Sequence, residues 1–250
     1  SQEVRSRTHK MGGRYWQLKP VLVPRHSTLE ARMNLYNISL RRTALWGAGS
    51  WRLRVADSRA LNTAEMEIVR RIVGIKRASD EPWVHFYTRS MRLARAVVWK
   101  FLGNQLSDCA WCLHWRWAGH MARYHDHCFP KFVTEWLGLD HCHNLRQETS
   151  GAFRLPDRSR VWRWEQAVSD FCASSSLISE FVGVVLPDNL WLSVAQDRHL
   201  WKSCEQSFVL SKVLRPRGDP LSVEDGEASP EDVDLDVFLR SLEDLHLSSE

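Results

Sequence analysis

Cys109-Ala110-Trp111-Cys112, followed by His120 and Cys128, sets out four metal-binding side chains as C-x2-C-x7-H-x7-C. A thiolate pair two residues apart can hold one side of a zinc ion, and a distal His and Cys can complete the tetrahedron. The last gap is longer than a compact zinc knuckle uses. His114, His125, His127, His141 and Cys142 add ligand types without a cleaner spacing. The expectation is packed thiols in a reducing compartment, with no zinc and no other cofactor bound by this chain.

A second arrangement of acids is weaker. Pro156-Asp157 with Asp170 has the outline of a metal-dependent nuclease pair. That chemistry places its second acid on a strand with a lysine close by. Here Ser159 to Ser169 reads as helix, and no lysine follows until Lys202. The chain has 11 His but no Gly-x-Ser-x-Gly elbow, no Gly-x-x-x-x-Gly-Lys phosphate loop and no Gly-x-Gly-x-x-Gly turn. Local chemistry therefore gives no reason to expect catalysis.

Arginine offers more. Arg41-Arg42, Arg70-Arg71 and the row Arg89, Arg92, Arg95 fall on helices whose other faces are apolar. A guanidinium fork suits bidentate phosphate contact, and binding built from such forks is salt-sensitive and does not read sequence. Trp115, Trp117, Trp164 and Trp201 are candidates for stacking on unpaired bases, although tryptophan at helical spacing is more often core. Arg198 and Glu205 share a stripe with Trp191, Val194, Trp201 and Phe208, so they must pair or contact something as that stripe buries.

The elements that must position these residues read as helices throughout. Leu29, Met33, Tyr36, Leu40 and Ala44 recur every three or four residues. Asp57 or Ser58 is placed to cap a helix whose apolar face is Leu61, Ala64, Ile68, Val69, Ile72 and Val73, with Gly74 at its end. Ser79-Asp80-Glu81-Pro82 reads as the start of a helix from Trp83 to Leu102. A Trp-rich segment runs from Trp111 to Arg123. Val161, Trp164, Val168 and Phe171 mark another helix, and Trp191 through Phe208 a last one. No run alternates like a strand. Breaks fall at Gly47-Ala48-Gly49, between His141 and Pro156, and from Arg215 to Pro220.

The expected fold is all-α, with a thumb-like helical bundle at 1–104, a Trp-rich helical region at 105–216 and an acidic, mostly disordered tail at 217–250. In that tail, Leu235, Phe238, Leu239, Leu242 and Leu245 are spaced for a short amphipathic helix that a protein partner can take up.

Charge divides along the same boundary. From Asp219 onward there are eleven acids and a single basic residue, Arg240, whereas residues 1–218 carry thirty-three Lys and Arg against nineteen Asp and Glu. A strongly basic body attracts polyanions, and an acidic tail competes with them for its surface. No stretch approaches the roughly 18 consecutive apolar residues of a membrane span. The opening Ser1-Gln2-Glu3-Val4-Arg5 has neither an initiator Met nor the apolar core of a secretion signal. The expectation is an intracellular chain, nuclear in preference to cytoplasmic, that forms the back end of something longer.

Four segments in order then take on a pattern. Leu45-Trp46-Gly47-Ala48-Gly49-Ser50-Trp51 precedes a helix ending Met66-Glu67-Ile68-Val69-Arg70-Arg71-Ile72-Val73-Gly74-Ile75. Trp115-Arg116-Trp117-Ala118-Gly119-His120-Met121-Ala122-Arg123 follows, then Arg160-Val161-Trp162-Arg163-Trp164-Glu165, then Trp191 to Trp201. Together they resemble the region behind the polymerase palm in LINE-type non-LTR retrotransposon reverse transcriptases, including the Trp-x-Gly-His-x-x-Arg signature of that family. The resemblance spans residues 10 to 210 approximately.

It implies that the helices from Leu29 to Leu102 form a thumb gripping a primer–template duplex, and that the segment from Trp111 onward binds the element's RNA or its target DNA. On that reading Arg41, Arg42, Arg70, Arg71, Arg89, Arg92 and Arg95 hold the duplex backbone. Trp117, His120 and Arg123 contact RNA or set the geometry of that contact. The family's polymerase chemistry uses clustered carboxylates to hold two magnesium ions. This chain has no adjacent Asp-Asp pair, so magnesium is expected only in a full-length polymerase. The expected function is nucleic-acid binding as the C-terminal part of an RNA-directed DNA polymerase, not catalytic on its own. The rival is a stand-alone helical interaction protein, a repurposed retroelement fragment whose acidic tail docks a protein.

Overall fold

The computed structural model describes residues 1–23, 27–124, 164–176, 178 and 190–212. These residues are helical, with connecting turns and no strand among them, so the all-α expectation holds. They divide into two compact units. One comprises residues 1–46 and 54–109. The other comprises 47–53 with 110–213 as far as that stretch is described. The division between the units falls at 109/110, and the Gly-Ala-Gly-Ser-Trp segment belongs with the second unit.

The first unit begins with α1 (Gln2–Leu22), whose buried residues Val4, Met11, Tyr15 and Leu22 form one stripe at steps of seven, four and seven. Next, α2 (Leu29–Leu35) is capped by Thr28, whose hydroxyl accepts from the Ala31 N–H at 3.2 Å. The chain then makes a π turn over Tyr36–Arg41 before α3 (Arg42–Leu45). The spacing predicts a single uninterrupted helix here; the π turn is an addition. Its cause lies in α4 (Val55–Val73). Residues five apart diverge on an α-helix but meet on one face of a π turn. Tyr36 and Arg41 both donate to Glu65 Oε1, at 3.1 and 2.8 Å, which requires that shared face.

Glu65 is fully buried, and its other oxygen accepts from the Leu106 N–H at 2.8 Å. Arg41 also donates to the Asn104 side chain at 3.0 Å and to its carbonyl at 2.5 Å. This buried network joins the π turn, α4 and the start of α6 (Leu106–Ala122), with each charge met by several partners.

The start of α4 lies one turn earlier than the capping motif suggests. Arg54 is the N-cap and Asp57 reaches back to its N–H at 3.1 Å, so the acid sits at the third helical position. Gly74 ends the helix at φ +73°, a conformation in which a Cβ is strained. Arg32, from α2, donates to the Ile72 carbonyl at 2.7 Å and so satisfies one of the last-turn acceptors of α4. α5 (Trp83–Leu102) starts directly after Pro82 and not at Ser79; Glu81 is engaged with the Ala78 N–H in the preceding turn.

The second unit contains most of α6, then α7 (Gln166–Ser174), α8 (Leu190–Val194) and α9 (Arg198–Lys212). The last two replace the single helix expected from Trp191 to Phe208. Asp197 breaks it, accepting from the His199 and Leu200 N–H groups at 2.9 and 3.1 Å as a helix cap. The break resets the register. Arg198 is consequently exposed instead of lying on the buried stripe, and Glu205 pairs with Arg116 at 2.6 Å.

Candidate nucleic-acid interface

Two indoles organise the second unit. Trp115 and Trp201 stack with ring centroids 3.8 Å apart and planes 9° from parallel. Each indole N–H donates to the backbone carbonyl of the other residue, at 2.9 and 3.2 Å. Phe171 and Phe208 pack on Trp115 at 5.5 and 4.7 Å. Trp115 and Trp201 are therefore core and not base-stacking surfaces.

The stacked Trp201 explains the glycine at position 119. A Cβ on Gly119, one helical turn beyond Trp115, would fall inside the Trp201 indole. A Cβ on Gly49 would lie 2.6 Å from the Trp117 Cβ and 3.1 Å from the Leu113 carbonyl oxygen. His114 is completely buried between Trp111 and Trp164, at centroid distances of 5.6 and 5.5 Å. Burial pushes its imidazole down to about 4, although the nearby backbone of Trp164 and Gly49 favours the proton. Neither ring nitrogen has a hydrogen-bond partner among the described residues. Trp164 in turn contacts Trp191 at 6.2 Å. Trp111, His114, Trp115, Trp164, Trp191 and Trp201 thus form one aromatic core, with Gly49 packed against α6 beside it.

Around that core, the signature residues divide by exposure. Trp117 is 36% exposed. His120 is also exposed and lies between Trp117 and Tyr124, at 5.6 and 5.0 Å. Arg123 donates to the Ala195 carbonyl at 2.6 Å, tying α6 to the turn before α9, which makes it a packing residue. Partial burial, and then the neighbouring Arg198, lower its affinity for the proton.

The zinc set does not converge. Cys112 and His120 stand eight residues apart on one continuous helix, a separation of about 12 Å along its axis, too far to share an ion. Cys128 lies outside the described residues, as do Asp157 and the tail at 217–250. Asp170 is an exposed helix residue that accepts from Gln166 at 2.8 Å.

In the first unit the arginines behave differently from one another. Arg41 is only 3% exposed and is consumed by Glu65 and Asn104, which corrects its assignment as a backbone contact. Arg89 is held in a bidentate pair with Glu81, at 2.8 Å for both bonds, and donates to the Lys76 carbonyl; it is a weaker candidate than a lone row of cations suggested. Arg92 and Arg95 are half-buried, and Arg42 is exposed.

Arg70 and Arg71 leave the last turn of α4 on either side. The Arg71 guanidinium lies 5.9 Å from Tyr15 and 6.0 Å from Trp16 on α1. The Arg70 guanidinium lies 5.5 Å from Tyr87 on α5. Lys19 covers Trp16 at 4.8 Å, and Arg7 covers Trp46 at 4.7 Å. The sequence reading missed this alternation of cations and exposed rings. The separate halves were visible as Tyr15-Trp16 and Arg70-Arg71, but their meeting depends on which helices pack together.

The described part of this unit carries eighteen Lys and Arg against eight Asp and Glu, and three of those acids, Asp57, Glu65 and Asp108, are buried. Arg32 and Arg41 are buried as well, so sixteen cations against five acids remain outside the core and the surface stays strongly cationic. No helix among the described residues is long and apolar enough to cross a membrane. No family model matches the chain, and no curated protein or solved structure matches it.

Proposed function

We propose that this chain binds nucleic acid through the cationic and aromatic surface of its first unit, as the C-terminal part of a LINE-type reverse transcriptase without its catalytic palm. The observation that carries the reading is the placement of Arg71, Lys19 and Arg70 against the exposed rings of Trp16 and Tyr87 on adjoining helices. Aromatic faces serve bases and guanidinium groups serve phosphates, and a surface alternating the two suits a polynucleotide better than a simple anion. The packing of Gly49, Trp115, Gly119, Trp164 and Trp201 into one core gives the family-like segments a common physical reason for their spacing.

Backbone contact falls to Arg42, Arg71, Lys19, Arg92 and Arg95, with Arg70 partly withdrawn. Trp117 and His120 form a separate exposed aromatic site for RNA on the second unit. Magnesium-dependent polymerisation belongs to carboxylates that this sequence does not carry.

The test is a salt titration of the full chain with a fluorescent duplex. Log affinity is expected to fall linearly with log salt by about 0.9 per phosphate contact for duplex DNA. Lys19→Gln with Arg71→Gln is expected to reduce that slope by about two contacts. A salt-independent affinity, or a slope unmoved by the pair, overturns the assignment.

A further inference from the structure

The first turn of α5 leaves large apolar surface in water. Trp83 is 57% exposed, Val84 69% and Tyr87 44%. Trp83 and Tyr87 are one helical turn apart, with ring centroids separated by 6.5 Å and planes tilted by 35°. Phe86 beneath them holds Trp83 at 5.5 Å. The rings therefore stand as a supported pair on a rigid element, and neither belongs to the core.

The surroundings are cationic. Arg70 flanks Tyr87, and its buried Nη1 has no hydrogen-bond acceptor among the described residues. Lys76 and Arg77, on the connection between α4 and α5, are exposed, and the Lys76 carbonyl accepts from Arg89. The nearby acid Glu81 is neutralised by Arg89, which leaves Asp80 as the exposed acid on that connection. Two exposed rings with Arg70 against Tyr87, on a unit whose described residues carry eighteen Lys and Arg against eight Asp and Glu, match the recognition chemistry of a strand with unpaired bases, in which rings take the bases and cations take the phosphates. A paired duplex hides its base faces and has no use for the rings. The excess of cations over acids in the described part of the first unit favours a polyanion over a protein partner here.

We infer that Trp83 and Tyr87 form a stacking platform for unpaired bases, so that the first unit engages a single-stranded segment of RNA or DNA in addition to backbone phosphates. The inference rests on the nucleic-acid reading above and adds the class of substrate.

Fluorescence polarisation with the full chain tests it, using a short oligothymidine and an abasic strand of equal length and equal phosphate number. The expected result is tighter binding of oligothymidine. Trp83→Ala with Tyr87→Ala should then weaken oligothymidine binding by roughly 5- to 100-fold and weaken the abasic strand far less. Trp83→Phe with Tyr87→Phe should retain most of the preference. Circular dichroism of the alanine pair should match the parent, because both residues are exposed.

Equal binding of the two strands by the parent overturns the platform while leaving phosphate binding intact. Equal weakening of both strands by the alanine pair also overturns it, since the residues would then act on the fold. Binding of neither strand removes the underlying nucleic-acid reading together with the platform.

Discussion

Gly119 and His114 mark what single residues do in the aromatic core of the second unit. Any side chain at 119 must displace the Trp201 indole, which is locked by its stack on Trp115 and by two indole hydrogen bonds. Gly119→Ala is expected to lower stability by about 1–3 kcal/mol, read as a lower urea midpoint at unchanged slope. His114 responds to pH. Its folded-state affinity for the proton is pushed down to about 4 from 6.5 by burial. The unfolded chain therefore takes up the proton first as pH falls. The stability that depends on a neutral His114 is complete above its ordinary range and is lost as pH drops from 6.5 towards 4. The loss should reach roughly 3 kcal/mol. A pH series of urea midpoints checks this, and His114→Phe should flatten that part of the profile.

At the scale of the element, the π turn and the break at Asp197 each exist for one side chain. The π turn brings Tyr36 and Arg41 to the same carboxylate, and Arg41 neutralises a Glu65 that has no access to water. Removing one partner of a buried pair leaves an uncompensated charge. Arg41→Met is thus expected to cost about 3–5 kcal/mol, and Arg41→Met with Glu65→Leu to recover much of that loss. Equal stability of the single and double variants would show that the ion pair does not organise this junction. Asp197 supplies the cap that separates α8 from α9. Asp197→Ala should destabilise by about 1 kcal/mol.

The whole molecule is organised by charge as much as by packing. Burial of Asp57, Glu65 and Asp108 removes acids from the face of the first unit, while the sequence concentrates eleven acids after residue 218. On the proposed reading, a strongly negative segment tethered to a basic body would act as a competing polyanion at high local concentration. Deleting residues 219–250 is therefore expected to tighten binding of a short duplex, with the largest gain at low salt where screening is weakest. Unchanged affinity at all salt concentrations would remove competition by the tail.

Periodicity alone determined the helical class, and glycine placement determined the end of α4, because these depend on local backbone preference and on the period of apolar residues. The segments at 45–51, 115–123 and 191–201 were likewise legible as a set. Their reason was not, because Gly119 yields its space to an indole eighty-two residues away. The tertiary structure also sorted the cations. Arg41 and Arg71 look alike in the chain, yet one is buried against a carboxylate and the other is exposed beside the rings of the buried Tyr15 and the exposed Trp16. Which of the two an arginine becomes depends on desolvation and on partners from distant segments, and neither has a signature at the residue itself.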